Sequence, residues 1–118
     1  MSERSDLELL EDVLEAARRA IAYCAGITYD GFAEDAKTQD AVARNIEILG
    51  EAAKCLSEAV REESPSVPWK SIAGMRDRLI HQYSGVNWDV VWDVVTNDLP
   101  RLAAEVEILL AKIRQKDR

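Results

Sequence analysis

DLELLEDVLEAARRAIAYCA, residues 6–25, sets Leu7, Leu10, Leu14, Ala17, Ile21 and Cys24 three or four positions apart. Side chains at that spacing share one face of an α-helix, because successive residues advance about 100° around its axis. Gly26 is a natural stop, since helices commonly end on a residue in the left-handed conformation that glycine adopts freely. A helix with one apolar face is stable only when other elements cover that face, so the remaining chain has to supply matching stripes.

It does so repeatedly. From about Asp35 to Arg61, Val42, Ile46, Leu49, Ala53, Leu56 and Val60 form a second and longer stripe. Gly50 interrupts this stripe at a cost of about 1 kcal/mol relative to alanine, which points to close packing of a neighbouring helix. Between the two helices, GITYDGFAEDAKT (residues 26–38) has Gly, Thr and Asp at turn positions around Tyr29 and Phe32. This predicts a connector with one helical turn, pinned to the bundle by its aromatics. EESPSVP, residues 62–68, ends the second helix, because neither proline continues a helix and Pro68 suits the first turn of the next. A third helix is expected from about Trp69 to Tyr83, stopped by Ser84 and Gly85. Asn87 or its neighbour caps the next, in which Trp88, Val91, Trp92 and Val95 repeat at helical spacing. Asp98 with Pro100 reads as a fresh cap and start for a last helix, Leu102 to Ile113. The expectation is an all-α, antiparallel bundle of four to five helices in a single domain over residues 1–118, divided near Asn97–Pro100.

Composition narrows the function classes. Residues 1–63 carry 15 acids and 7 bases, residues 64–118 carry 7 acids and 8 bases, and the chain has a net charge of −7. A long nucleic-acid clamp needs clustered Lys and Arg, so any RNA contact must be local or completed by a partner. No stretch approaches the roughly 20 apolar residues that cross a bilayer, and the expected location is cytoplasmic without membrane association. Cys24 and Cys55 stand apart with no paired spacing and read as small buried hydrophobes. One histidine in the whole chain leaves no basis for a His-based zinc site, and no metal or cofactor is expected.

That histidine lies in the most informative stretch, IAGMRDRLIHQYSGVNWDVVW, residues 72–92. Arg76 precedes His81 by five positions and Tyr83 follows two later. A fixed positive charge, a group that titrates near neutrality and a phenol at one helix end are the parts of a metal-independent phosphodiesterase. Histidine moves protons at the attacking 2′-hydroxyl and the leaving oxygen, while the planar guanidinium neutralises charge on the phosphoryl oxygens. At about 100° per residue, Arg76 and Tyr83 share a face, whereas His81 lies roughly 140° from Arg76. One regular helix therefore does not aim both groups at one phosphate. Either the last turn unwinds near Ser84–Gly85, or a second copy across a two-fold axis supplies the convergence.

RDRLIHQY matches the Arg, four residues, His, any residue, Tyr motif of the HepT toxins, and VPWKSIAGMRDRLIHQYSGVNWDVVWDVVTNDLP is similar to that family's signature throughout. TQDAVARNIEILGEAAKCLS, residues 38–57, resembles its second helix. HepT proteins are HEPN-superfamily helical bundles, and the resemblance implies a homodimer that cleaves RNA without metal. It implies the toxin half of a type VII toxin–antitoxin system, with Arg76 and His81 catalytic at a dimer cleft. Asp77 takes the place where many relatives carry Asn. Two consequences of that added charge are open: weaker binding of a phosphate, or a raised His81 pKa from one helical turn away. Tyr83 corresponds to the residue that a cognate nucleotidyltransferase antitoxin of the MntA (MNT) type modifies with AMP. The alternative is a non-catalytic HEPN module that binds and complements such a nucleotidyltransferase, and the acidic charge balance favours it.

Arg44, Asn45, Glu47 and Glu51 also match the second-helix pattern. Asn45 and Glu51 are candidates for orienting the site, set against a solvated or interhelical structural role. Trp69, Trp88 and Trp92 are expected to pack between helices rather than stack on bases.

Overall fold

Ser5 opens the first helix, α1 (Asp6–Cys24), with a reciprocal cap. Its hydroxyl accepts the Glu8 amide at 3.2 Å and the Glu8 carboxylate accepts the Ser5 amide at 3.2 Å. Donors that a first helical turn leaves open are thereby satisfied, and the Ser5 amide and hydroxyl, both donating to the Glu8 carboxylate, hold it below its ordinary pKa. At the far end Gly26 takes φ +78°, the left-handed conformation expected of the stop. The computed structural model describes residues 4–81 and 85–116, with the backbone only at positions 76 and 78–81.

The connector contains the short helix α2 (Tyr29–Ala33), capped by the Thr28 hydroxyl, which accepts the Gly31 amide at 3.1 Å. Phe32 is fully buried and Tyr29 packs against the core, as the aromatic positions led one to expect. Asp35 then caps α3 (Ala36–Cys55) by accepting the Thr38 amide.

The second apolar stripe does not form one helix to Arg61. The helix ends at Cys55, and Ser57 caps a separate short helix, α4 (Glu58–Glu62). The cause is tertiary: the Asp6 carboxylate at the start of α1 accepts the Ser57 amide at 2.9 Å and its hydroxyl at 2.7 Å. With its donors taken from outside the helix, Ser57 leaves the helical path, while Leu56 stays in the core. Cys55, the last residue of α3, is exposed, contrary to the expectation of a small buried hydrophobe; at about 100° per residue it points away from the buried Ala53. Cys24 is buried as expected, and burial raises its thiol pKa.

α5 (Trp69–His81) begins on Pro68, whose carbonyl accepts the Ile72 amide at 3.0 Å. Trp69 is buried and its indole N–H donates to the Ser64 carbonyl at 3.2 Å. The backbone is helical as far as His81, and the two further residues expected in this helix, Gln82 and Tyr83, lie outside the described residues.

Asn87 caps α6 (Trp88–Asp93), its side-chain oxygen accepting the Asp89 and Val90 amides. The expected division near Asn97–Pro100 is absent. The chain continues through a π turn, Val94–Asp98, straight into α7 (Leu99–Lys116), so Asp98 caps nothing and the last helix is longer than Leu102–Ile113. Proline in a regular α-helix loses one backbone bond and presses its ring on the carbonyl four residues back. Here the Leu99 amide reaches the Val94 carbonyl, five residues back, and this wider turn carries the helix past Pro100.

α1 is the central element, with α3 against one side of it and α7 against the other, and α5 lies on α3. Leu10, Val13 and Ala17 of α1 meet Val42, Ile46 and Leu49 of α3 and Leu102, Val106 and Leu109 of α7 in one core. Gly50 is buried on α3, consistent with close helix packing. Ion pairs Arg18–Glu107 and Arg114–Glu11 tie α1 to α7, but both are solvent-exposed. Exposed pairs contribute about 0–1 kcal/mol, so apolar burial holds the bundle. No helix among the described residues is long and apolar enough to cross a membrane.

Candidate active site

The backbone of α5 carries Arg76, Asp77 and His81. Because it stays helical through His81, positions 76 and 81 are set about 140° apart around one axis. No unwinding before His81 relieves that divergence. Asp77 is half-buried beside Arg76. Tyr83 lies outside the described residues.

Beneath α5, α3 presents Asn45 and Glu51 on different sides of its axis, about 120° apart by helical register. Asn45 is buried, and its side-chain amide donates to the Ala41 carbonyl of its own helix at 2.9 Å. That bond ties its nitrogen to α3. Glu51 is exposed, and Arg44 pairs with Glu47 at 3.7 Å on the helix surface.

A cleft of about 230 Å³ opens between α5 and the start of α7, floored by Ile46 and Leu49 of α3. Ile72 and Met75 line its α5 side, so it runs beside the helical turn that leads into Arg76. Asp98, Arg101 and Glu105 also line it, which gives its charged groups a net negative sum. This is an apolar cleft with an acid excess, and phosphate has no preferred place in it.

Before the Asn87 cap, Gly85 takes φ +103°, a backbone conformation that favours glycine. Here the structure adds what sequence reasoning missed. The Tyr29 hydroxyl on α2 donates to the Asp89 carboxylate in the first turn of α6. The Tyr29 ring meets the Trp92 ring edge-on with centroids 6.0 Å apart, and Phe32 contacts Trp88 at 5.8 Å and Trp92 at 5.2 Å. The tryptophans therefore pack between helices, as expected, and Trp69 does the same at the foot of α5. Tyr29 and Asp89 are 60 positions apart, and no local pattern announces their pairing. Among the described residues no three His, Cys, Asp or Glu side chains gather to hold a metal ion.

The HepT-like family, described as "Ribonuclease HepT-like", matches residues 13–109. A protein of Methanocaldococcus jannaschii, named provisionally as an RNase, is 42% identical over 108 residues, covering 92% of this chain and 89% of its own length. A similarly named protein of Caldanaerobacter subterraneus subsp. tengcongensis is 41% identical over 103 residues, covering 87% and 92%. The "Probable ribonuclease HepT" of Thermococcus cleftensis is 41% identical over 106 residues, covering 90% and 96%. No solved structure matches the chain. A match over most of the chain, together with several relatives aligned nearly end to end, places this protein in the HepT-like ribonuclease family.

Proposed function

We propose that this chain is a metal-independent endoribonuclease and the toxin of a type VII toxin–antitoxin pair, acting in the cytoplasm as a homodimer. The observation that carries the reading is the placing of Arg76 and His81 on one helix of a HepT-like bundle. In the proposed reaction His81 takes the proton of a ribose 2′-hydroxyl, whose oxygen attacks the adjacent phosphorus. The P–O5′ bond breaks, the leaving oxygen takes up a proton, and the products are a 2′,3′-cyclic phosphate and a 5′-hydroxyl. Arg76 offsets the negative charge that grows on the non-bridging oxygens. Their divergence around α5 is the reason for invoking two copies, each contributing to a shared cleft. Asp77, Asn45 and Glu51 are proposed to support the site from α5 and α3.

The test is cleavage of RNA by the purified protein in excess EDTA. Activity should persist, the new ends should carry 2′,3′-cyclic phosphate, and DNA of the same sequence should remain intact. Loss of activity on chelation, restored by a divalent cation, overturns the metal-independent mechanism.

Regulation is proposed to act at Tyr83 through a nucleotidyltransferase partner. Each AMP joined to the phenol adds about one negative charge and a bulky base two residues from His81, which repels the RNA backbone. Incubation with the partner and ATP should add mass in units of AMP to wild-type protein and none to Tyr83→Phe, with RNA cleavage falling as modification rises. Cleavage that persists in fully modified protein would assign neutralisation to masking by the partner. The excess of acid in residues 1–63 favours a second reading, a non-catalytic module that presents Tyr83 to that partner. In that case His81→Ala and wild type behave alike on RNA.

A further inference from the structure

α5 is seated on α3 and packs on no other helix to a comparable extent, so the bundle stays open between α5 and α7. That opening is the cleft of about 230 Å³ above Ile46 and Leu49. Protein interiors close most gaps larger than a water molecule, and an apolar cavity of about 150 Å³ already holds a benzene molecule. The cleft therefore has room for a bicyclic aromatic ring with a short chain. Ile72 and Met75 stand half-buried on its α5 side, and the buried Val94 and Leu99 line the other. Its charged groups come from one stretch of chain. Asp98 closes the π turn, and Arg101 and Glu105 follow on α7, about 40° apart around its axis. Among the described residues none of these three makes an ion pair. Glu105 is half-buried, so its carboxylate has given up part of its water without gaining a counter-charge.

We propose that this cleft binds a small organic monocation with an apolar body, of the class of protonated arylalkylamines. The ring lies between the Ile72–Met75 wall and the Val94–Leu99 wall, where it replaces water against apolar side chains. The ammonium sits at the rim and donates to the carboxylates of Asp98 and Glu105. Two carboxylates against one guanidinium leave a single negative charge in the cleft, which one ammonium offsets. An anion of the same shape meets net repulsion. This site is read by binding alone and does not depend on the ribonuclease reading.

The experiment is an NMR titration of the full-length protein with tryptamine and with indole-3-propionate, which share the ring and the chain length and differ in the sign of charge. Tryptamine should bind with a dissociation constant below about 1 mM. It should shift the methyl resonances of Ile72 and Met75 and give intermolecular NOEs from its ring protons to them. Indole-3-propionate should bind at least about 5-fold more weakly. Glu105→Gln removes the net charge of the cleft, so the two dissociation constants should then agree within about 2-fold. Ser71 is exposed at the edge of the cleft, and Ser71→Trp should fill the opening and abolish tryptamine binding. The NOEs in wild type locate the ligand whether or not that variant folds. No shift at about 10 mM tryptamine overturns the proposal. Equal affinity for the two probes overturns the cation, and NOEs to residues away from the cleft overturn the site. NOEs from Ile72 and Met75 to a second copy of the chain, in a mixed-label sample and undisturbed by tryptamine, would assign the cleft to a contact between copies and overturn the ligand.

Discussion

Mixing purified Arg76→Ala protein with purified His81→Ala protein is expected to restore roughly a quarter of wild-type RNA cleavage, from two preparations each at least about 10²-fold impaired alone. The expectation follows from the helical register of α5. Positions 76 and 81 diverge by about 140° in a backbone that remains helical through His81, so one protomer does not turn both groups toward one phosphate. In a shared site, Arg76 of one copy faces His81 of the other. Random exchange makes half the dimers mixed, and each mixed dimer holds one site with both groups intact and one with neither. Light scattering first has to show dimers, and a tagged subunit has to show that they exchange. Under those conditions, no recovery would mean that the two groups do not meet across the dimer and would overturn the shared cleft. A pair of single variants as active as wild type would remove both residues from the chemistry.

The helices were legible where apolar residues recur at three- and four-residue spacing and a capping side chain stands at the start. Leu10, Leu14 and Ala17 of α1 and Val42, Ile46 and Leu49 of α3 are core residues that the period alone identifies. Reading failed where a distant group competes with local propensity. Ser57 offers only a local cap, its hydroxyl accepting the Val60 amide, while the acceptor of its own two donors is the Asp6 carboxylate, 51 positions away. At Pro100 the error was of another kind. Proline does forbid a regular α-helix, but a π turn satisfies the same restriction without ending the helix. The candidate site divides similarly. Arg76 and His81 were marked by the likeness of one short stretch to the HepT motif, while the Tyr29–Asp89 pair joins two segments that share no pattern.

Phe32→Ala is expected to destabilise the fold by about 3–5 kcal/mol, the usual cost of emptying a large buried aromatic site. A domain of this size typically has 5–15 kcal/mol in total, so the loss should lower the melting temperature by about 10–20 °C. The size of the effect comes from what Phe32 holds. α2 has five residues, far too few to be helical by itself in water. Its place depends on a ring that is 0% exposed and in contact with two tryptophans of α6. Removing that ring takes away the wedge between α2 and α6 and leaves a cavity beside Trp88 and Trp92. Ile108, 54% exposed on α7, provides the contrast: Ile108→Ala should change stability by less than about 0.5 kcal/mol. A Phe32→Ala midpoint within about 4 °C of wild type would show that α2 is a loosely attached turn outside the cooperative core. Native-state hydrogen exchange then decides what has moved: protection lost only in residues 28–35 means local release of α2, whereas loss across α6 as well means that Phe32 holds the two helices as one unit.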